Sequence, residues 1–162
     1  MNLAKWNKLY ENNKRLDEIF INKYQNDKKL FEKNAIELMV EIGEFVNETK
    51  IFKYWTIKEP NKEKILEEYA DVITMILSFY GIYNLDIKKT YPQIKENDIL
   101  KLIMELFHKG YLFYQQNNKE VLEEIFYYTL HIGALLKFKE TEIIEAIDNK
   151  QKIIKERLNS DY

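Results

Sequence analysis

An all-α bundle of about six helices is predicted by three observations. Gly and Pro are scarce, at 4 and 2 among 162 residues. Apolar residues recur at three- and four-residue steps through most of the chain, the spacing of amphipathic helices around a shared core. No stretch alternates with the period of two that a half-buried strand requires. Hydrophobic residues at 46% supply enough core for one domain over 1–162, and 14% aromatics exclude a disordered chain.

The spacing predicts helices over roughly 3–25, 30–50, 62–80, 96–116, 119–137 and 141–159. Pro60, Gly81, Pro92, Gly110 and Gly133 read as punctuation between or near the ends of these segments. The connection from Ile51 to Pro60 holds Phe52, Tyr54 and Trp55 around Lys53, and these aromatics either cover the end of a helix pair or line a ligand site. Asn61 then fits the N-cap of the third helix. From 96 to 137 the aliphatic and aromatic positions exceed what one small core can bury, which predicts a homodimer.

A net charge of −2 gives no broad positive field for a nucleic-acid backbone, so nucleic acid is not expected as a partner. Cysteine is absent, which removes disulfides, thiol nucleophiles and Cys-based zinc sites. Residues Met1 to Tyr10 lack the apolar stretch of a signal peptide and no run approaches a membrane span, so a soluble cytoplasmic protein without a membrane partner is expected. Arg15 and Arg157 are the only arginines beside many lysines, and Ile, Asn and Tyr are abundant. That usage is the mark of AT-rich codons rather than of a function.

Chemistry enters with the second and third helices. Glu37, Glu41, Glu44 and Glu48 fall in one narrow stripe, with Leu38, Ile42 and Phe45 on one side and Ile36 and Val40 on the other. A merely solvated acidic face usually interleaves Lys at four-residue spacing, yet no basic residue stands between Glu37 and Glu48. The third helix carries Glu67, Glu68 and Asp71. Glu68 falls within the apolar arc near Val72, Met75 and Phe79, and Asp71 falls at its border. An ionised carboxylate in such a setting needs a cation or hydrogen bonds. Glu41 with Glu44, and Glu68 with Asp71, form two pairs at i, i+3. Antiparallel packing of the two helices brings all four onto one hard-cation site, favouring Mg2+ or Mn2+ and a substrate with phosphate oxygens. The alternative is that these are ordinary exposed acids on amphipathic helices.

Glu41-Ile-Gly-Glu44 followed by Glu68-Tyr-Ala-Asp71 resembles the ExxE and ExxD pairs of the all-α nucleoside triphosphate pyrophosphatases. The segments Glu37 to Glu48, Phe52 to Trp55 and Ile65 to Asp71 are most similar to the dimeric dUTPase branch. Residues Glu142 to Tyr162 resemble its final helix. The resemblance implies a homodimeric bundle that converts dUTP, and dUDP as well, to dUMP, using water activated at magnesium held by Glu41, Glu44, Glu68 and Asp71. It implies further that Lys150, Arg157 and Tyr162 hold the nucleotide's phosphates or close the site, with Asn13, Lys53 and Trp55 contributing to the nucleotide pocket. On spacing alone, Lys150 and Arg157 are also ordinary solvated residues, seven apart on one helix face.

Three positions depart from the branch. Asn13 stands where it usually has Gln, Thr74-Met75 where it has His-Phe, and Ile154 where it has Asn. These positions bear on base and sugar recognition, which keeps open a broader MazG-like pyrophosphatase or an inactive relative acting as an interaction module. Glu105-Leu-Phe-His108 has the ExxH form of di-iron bundles, but the second such motif is missing, since Tyr128 precedes His131 at the required offset.

Overall fold

The computed structural model describes residues 1–24 and 26–159. In chain order the described residues form α1 (Leu3–Tyr24), α2 (Leu30–Thr49), α3 (Lys62–Tyr83), α4 (Ile99–Gln116), α5 (Lys119–Leu135) and α6 (Glu140–Asn159), with no strand among them. The expected all-α class and helix number are both observed.

Three helices start where short polar side chains replace the missing first-turn partners. Asn61 accepts from the backbone N–H of Glu63 and Lys64, as its sequence position suggests, while Asp98 does so for α4 and Asn118 for α5. The Asp98 cap sets the start of α4 at Ile99, later than the periodicity alone places it. Helix ends fall to residues with positive φ that are not glycine: Lys50 (φ 55), Asn84 (φ 51), Asn117 (φ 49) and Lys137 (φ 60).

The glycines therefore do other work than punctuation. Gly81, Gly110 and Gly133 lie inside α3, α4 and α5, and α3 runs three residues past its expected end at 80, up to Asn84. A Cβ at Gly133 would lie 2.6 Å from the Tyr69 hydroxyl, and one at Gly110 would lie 3.1 Å from Met39 Cγ. Both are places where a neighbouring side chain presses onto bare helix backbone. Tyr69, admitted by Gly133, donates its hydroxyl to the Thr129 carbonyl at 3.0 Å.

α3 is the central helix and packs against α1, α2, α5 and α6. Its buried residues, among them Ile65, Tyr69, Val72, Ile73, Ile76, Leu77 and Tyr80, run almost all the way round the helix, as a helix covered on every side requires. Edge-to-face ring pairs extend the core outward, with Phe79 on Phe113 at 4.8 Å and Tyr80 on Phe126 at 5.3 Å. No helix among the described residues is long and apolar enough to cross a membrane.

Candidate active site

α2 and α3 pack side by side, and their acids meet on one side of the pair. Glu41, Glu44 and Glu68 each offer a carboxylate oxygen within 4.8 Å of the other two. Glu41 Oε2 is buried and has no hydrogen-bond partner. Burial, with Asp71, Glu44 and Glu37 adding repulsion, pushes the Glu41 carboxyl up to about 7 against the pull of Lys150. Glu68 is raised by the same causes, burial first and then Asp71 and Glu44.

Asp71 is held differently. Its Oδ2 accepts from Lys150 Nζ at 2.6 Å, while its Oδ1 is buried without a partner. The wheel placed Glu68 inside the apolar arc and Asp71 at the border, and the structure reverses that order: Asp71 is buried and Glu68 is half-buried. The reason is α6, which covers the Asp71 side of α3 and supplies the lysine. Such a cover is invisible to the periodicity of α3 alone.

A cleft of about 420 Å3 adjoins these acids. Glu41, Asp71, Lys150 and Arg157 line it together with a second polar group formed by Asn13, Asp17, Thr74 and Ser78, and Leu16, Phe20, Met75, Ile82 and Ile154 give it apolar walls. Lys150, Ile154 and Arg157 reach it from one face of α6, as their spacing of three and four residues allows. Asn13 is buried; its amide nitrogen donates to Asp17 Oδ2 and Ser78 Oγ at 2.9 Å each, and to the Thr74 carbonyl at 3.3 Å. Its amide oxygen accepts from Gln151 Nε2 at 3.3 Å.

This constellation of acids beside a cleft with two basic residues on its α6 wall suits a phosphate-bearing substrate. The sequence profile of the dUTPase family matches residues 5–162. The chain belongs to the dUTPase family. No curated protein and no solved structure gives a significant match.

Members of the dUTPase family hydrolyse dUTP, which makes this chain a nucleotide hydrolase, and they generally use a divalent metal. The donor set fits such an ion: oxygen ligands alone, clustered, with the unpartnered Glu41 Oε2 among them. Of the expected substrate contacts, Asn13, Lys150 and Arg157 line the cleft. Lys53 and Trp55 do not; Trp55 is 63% exposed and packs edge-on against Phe52 and Tyr54 in the α2–α3 connection. Tyr162 lies outside the described residues. Among those residues, Glu105 and His108 are exposed and join no group of potential metal ligands, and His131 Nε2 bonds the Glu96 carbonyl at 2.7 Å.

Asp17 and Ser78 are cleft residues that the sequence reading passed over. The available signal was the i, i+4 spacing of Asn13 and Asp17, which puts both on the α1 face that meets α3.

Proposed function

We propose that this dUTPase-family chain hydrolyses dUTP to dUMP and pyrophosphate, and dUDP to dUMP and phosphate, with Mg2+ (or Mn2+ in its place) held by Glu41, Glu44, Glu68 and Asp71. The observation that carries the reading is the three-carboxylate cluster beside Asp71, bordering a cleft whose basic wall residues are Lys150 and Arg157. A bound divalent ion would supply positive charge to the phosphate oxygens and make water more acidic. The chain's own residues do the rest. Lys150 and Arg157 hold phosphate oxygens, and a substrate phosphate competes with Asp71 for the Lys150 ammonium. The apolar walls around Leu16, Met75 and Ile154 exclude water from the base.

A homodimer belongs to the same proposal. Ile36 and Val40 on α2 are 49% and 51% exposed, and Leu100, Met104, Tyr111 and Tyr114 are exposed on α4, which packs against α2. The acid stripe of α2 thus borders the core on one side and an uncovered apolar stripe on the other. A second copy of the chain is the occupant that we assign to this face.

Turnover of dUTP, dUDP, dCTP, dTTP and the ribonucleotides, with Mg2+ and with EDTA, tests the function. Metal-dependent release of dUMP from dUTP is the expected result. No turnover of any nucleotide in Mg2+ would overturn it in favour of an inactive relative.

A further inference from the structure

The polar group of α1 and α3 that lines the cleft has spent its donors. Both amide hydrogens of Asn13 point at Asp17, Ser78 and the Thr74 carbonyl. The single Ser78 hydroxyl hydrogen goes to Asp17 Oδ1 at 3.0 Å or to the Thr74 carbonyl at 3.2 Å, and the Thr74 hydroxyl donates to the Ala70 carbonyl at 2.7 Å. Gln151 fixes the amide of Asn13 in this orientation by donating to its oxygen. What remains is the Asp17 carboxylate, with one lone pair used on each oxygen and one left on each. This wall therefore offers acceptors and no donor.

Resting on the nucleotide hydrolysis proposed above, we infer that Asp17 is a specificity residue that accepts a hydrogen bond from an exocyclic amino group on the base, so that deoxycytidine nucleotides are substrates beside deoxyuridine nucleotides. Uracil presents a carbonyl oxygen at position 4, which a carboxylate cannot pair, so uracil meets Asp17 only through its N3–H donor. Cytosine presents an amino group there, the natural partner of a carboxylate. Asp17 thus has an acceptor for a donor on either base, and a change at this residue shifts the ratio between the two substrates.

Protonation supports the same assignment. Burial raises the Asp17 carboxyl to about 6, outweighing the hydrogen bonds from Ser78 and Asn13. Below that pH the group gains an O–H and becomes a donor suited to the uracil oxygen. The other charged groups lining the cleft are Glu37, Glu41, Asp71, Lys150 and Arg157; the four assigned above to the ion and the phosphates would act on both substrates alike, so their titration cancels in a ratio of rates.

The test is kcat/KM for dCTP and dUTP with Mg2+, in wild type and in Asp17→Asn. Wild type should take dCTP within about tenfold of dUTP, and Asp17→Asn, which exchanges one acceptor for a donor, should lower the dCTP:dUTP ratio by about tenfold or more. Wild type alone gives the second readout: the ratio should rise as pH goes from 5.5 to 7.5. A ratio unmoved by both the substitution and pH overturns the inference while leaving dUTP hydrolysis standing, and so does wild-type dCTP turnover below about a hundredth of that for dUTP. Equal loss on both substrates in Asp17→Asn, with the ratio kept, would place Asp17 on the sugar or in the packing instead. Absence of all turnover in wild type is a failure of the functional reading itself.

Discussion

Lys150 Nζ stands 2.6 Å from Asp71 Oδ2, joining α6 to α3 at the edge of the carboxylate cluster. The two side chains are 23% and 9% exposed, so this pair is less screened than the lysine–carboxylate pairs on the surface. Desolvation raises the Asp71 carboxyl, and Lys150 pulls it back.

Removing the lysine leaves a buried anion. Lys150→Met should therefore lose about 3 kcal/mol in urea unfolding near neutral pH, far more than the exposed pair Lys152–Asp148 is worth. The loss should shrink in acid, where Asp71 is protonated in both proteins. The same variant should raise KM for dUTP more than it lowers kcat, because the contact proposed for Lys150 is with phosphate in the ground state as well.

Glu41→Gln and Asp71→Asn should each reduce dUTP turnover by at least about a thousandfold while circular dichroism stays helical, if these acids hold the ion as proposed. Near wild-type turnover in either would remove that residue from the metal site. In EDTA, Glu41→Gln should melt higher than wild type, because it deletes a carboxylate that burial and its neighbours disfavour.

Stability of the metal-free protein should fall as pH rises from about 5 to 8. Glu41 and Asp17 are raised to about 7 and about 6 in the fold, so between the unfolded and folded values the native state binds more protons. Stability then declines with pH through that window and is fully present below it. Melting in EDTA at pH 5.5 and 8 checks the sign, and Mg2+ should narrow the difference by favouring the ionised carboxylates.

Gly133→Ala should destabilise by about 1–3 kcal/mol through its contact with the Tyr69 ring and hydroxyl. In a Tyr69→Phe background the penalty should be smaller, which a double-mutant cycle by denaturant unfolding would read. Equal penalties in both backgrounds would assign the cost to another neighbour.

Sedimentation should give twice the 19.7 kDa chain mass. Val40→Lys together with Met104→Lys should shift it toward the monomer without loss of helix, since both positions are exposed in the single chain. A wild-type monomer at all concentrations would refute the partner assigned to this face.

The fold was legible because periodicity is a local property, and so were Glu41 and Glu44, which share a turn of one helix. What the sequence misplaced depends on neighbours from elsewhere in the chain. Asp71 is deeper than Glu68 only because α6 lies over it, and Gly133 reads as a break until Tyr69 is seen against it. Asp17 was overlooked for a related reason. A polar residue four positions from another on a helix is ordinary until the facing helix brings Ser78 to its oxygen.

The helix ends carry a last consequence. Lys50, Asn84, Asn117 and Lys137 occupy the left-handed region where glycine has no steric cost, and for lysine in particular that backbone costs about 1–2 kcal/mol. Glycine codons are rich in G and C, whereas lysine and asparagine codons are rich in A. A genome drifting toward A and T would erode the residue best suited to ending a helix and leave the substitutes seen here. Replacing Lys50 or Lys137 by glycine should therefore raise thermal stability at helix ends that do not line the cleft.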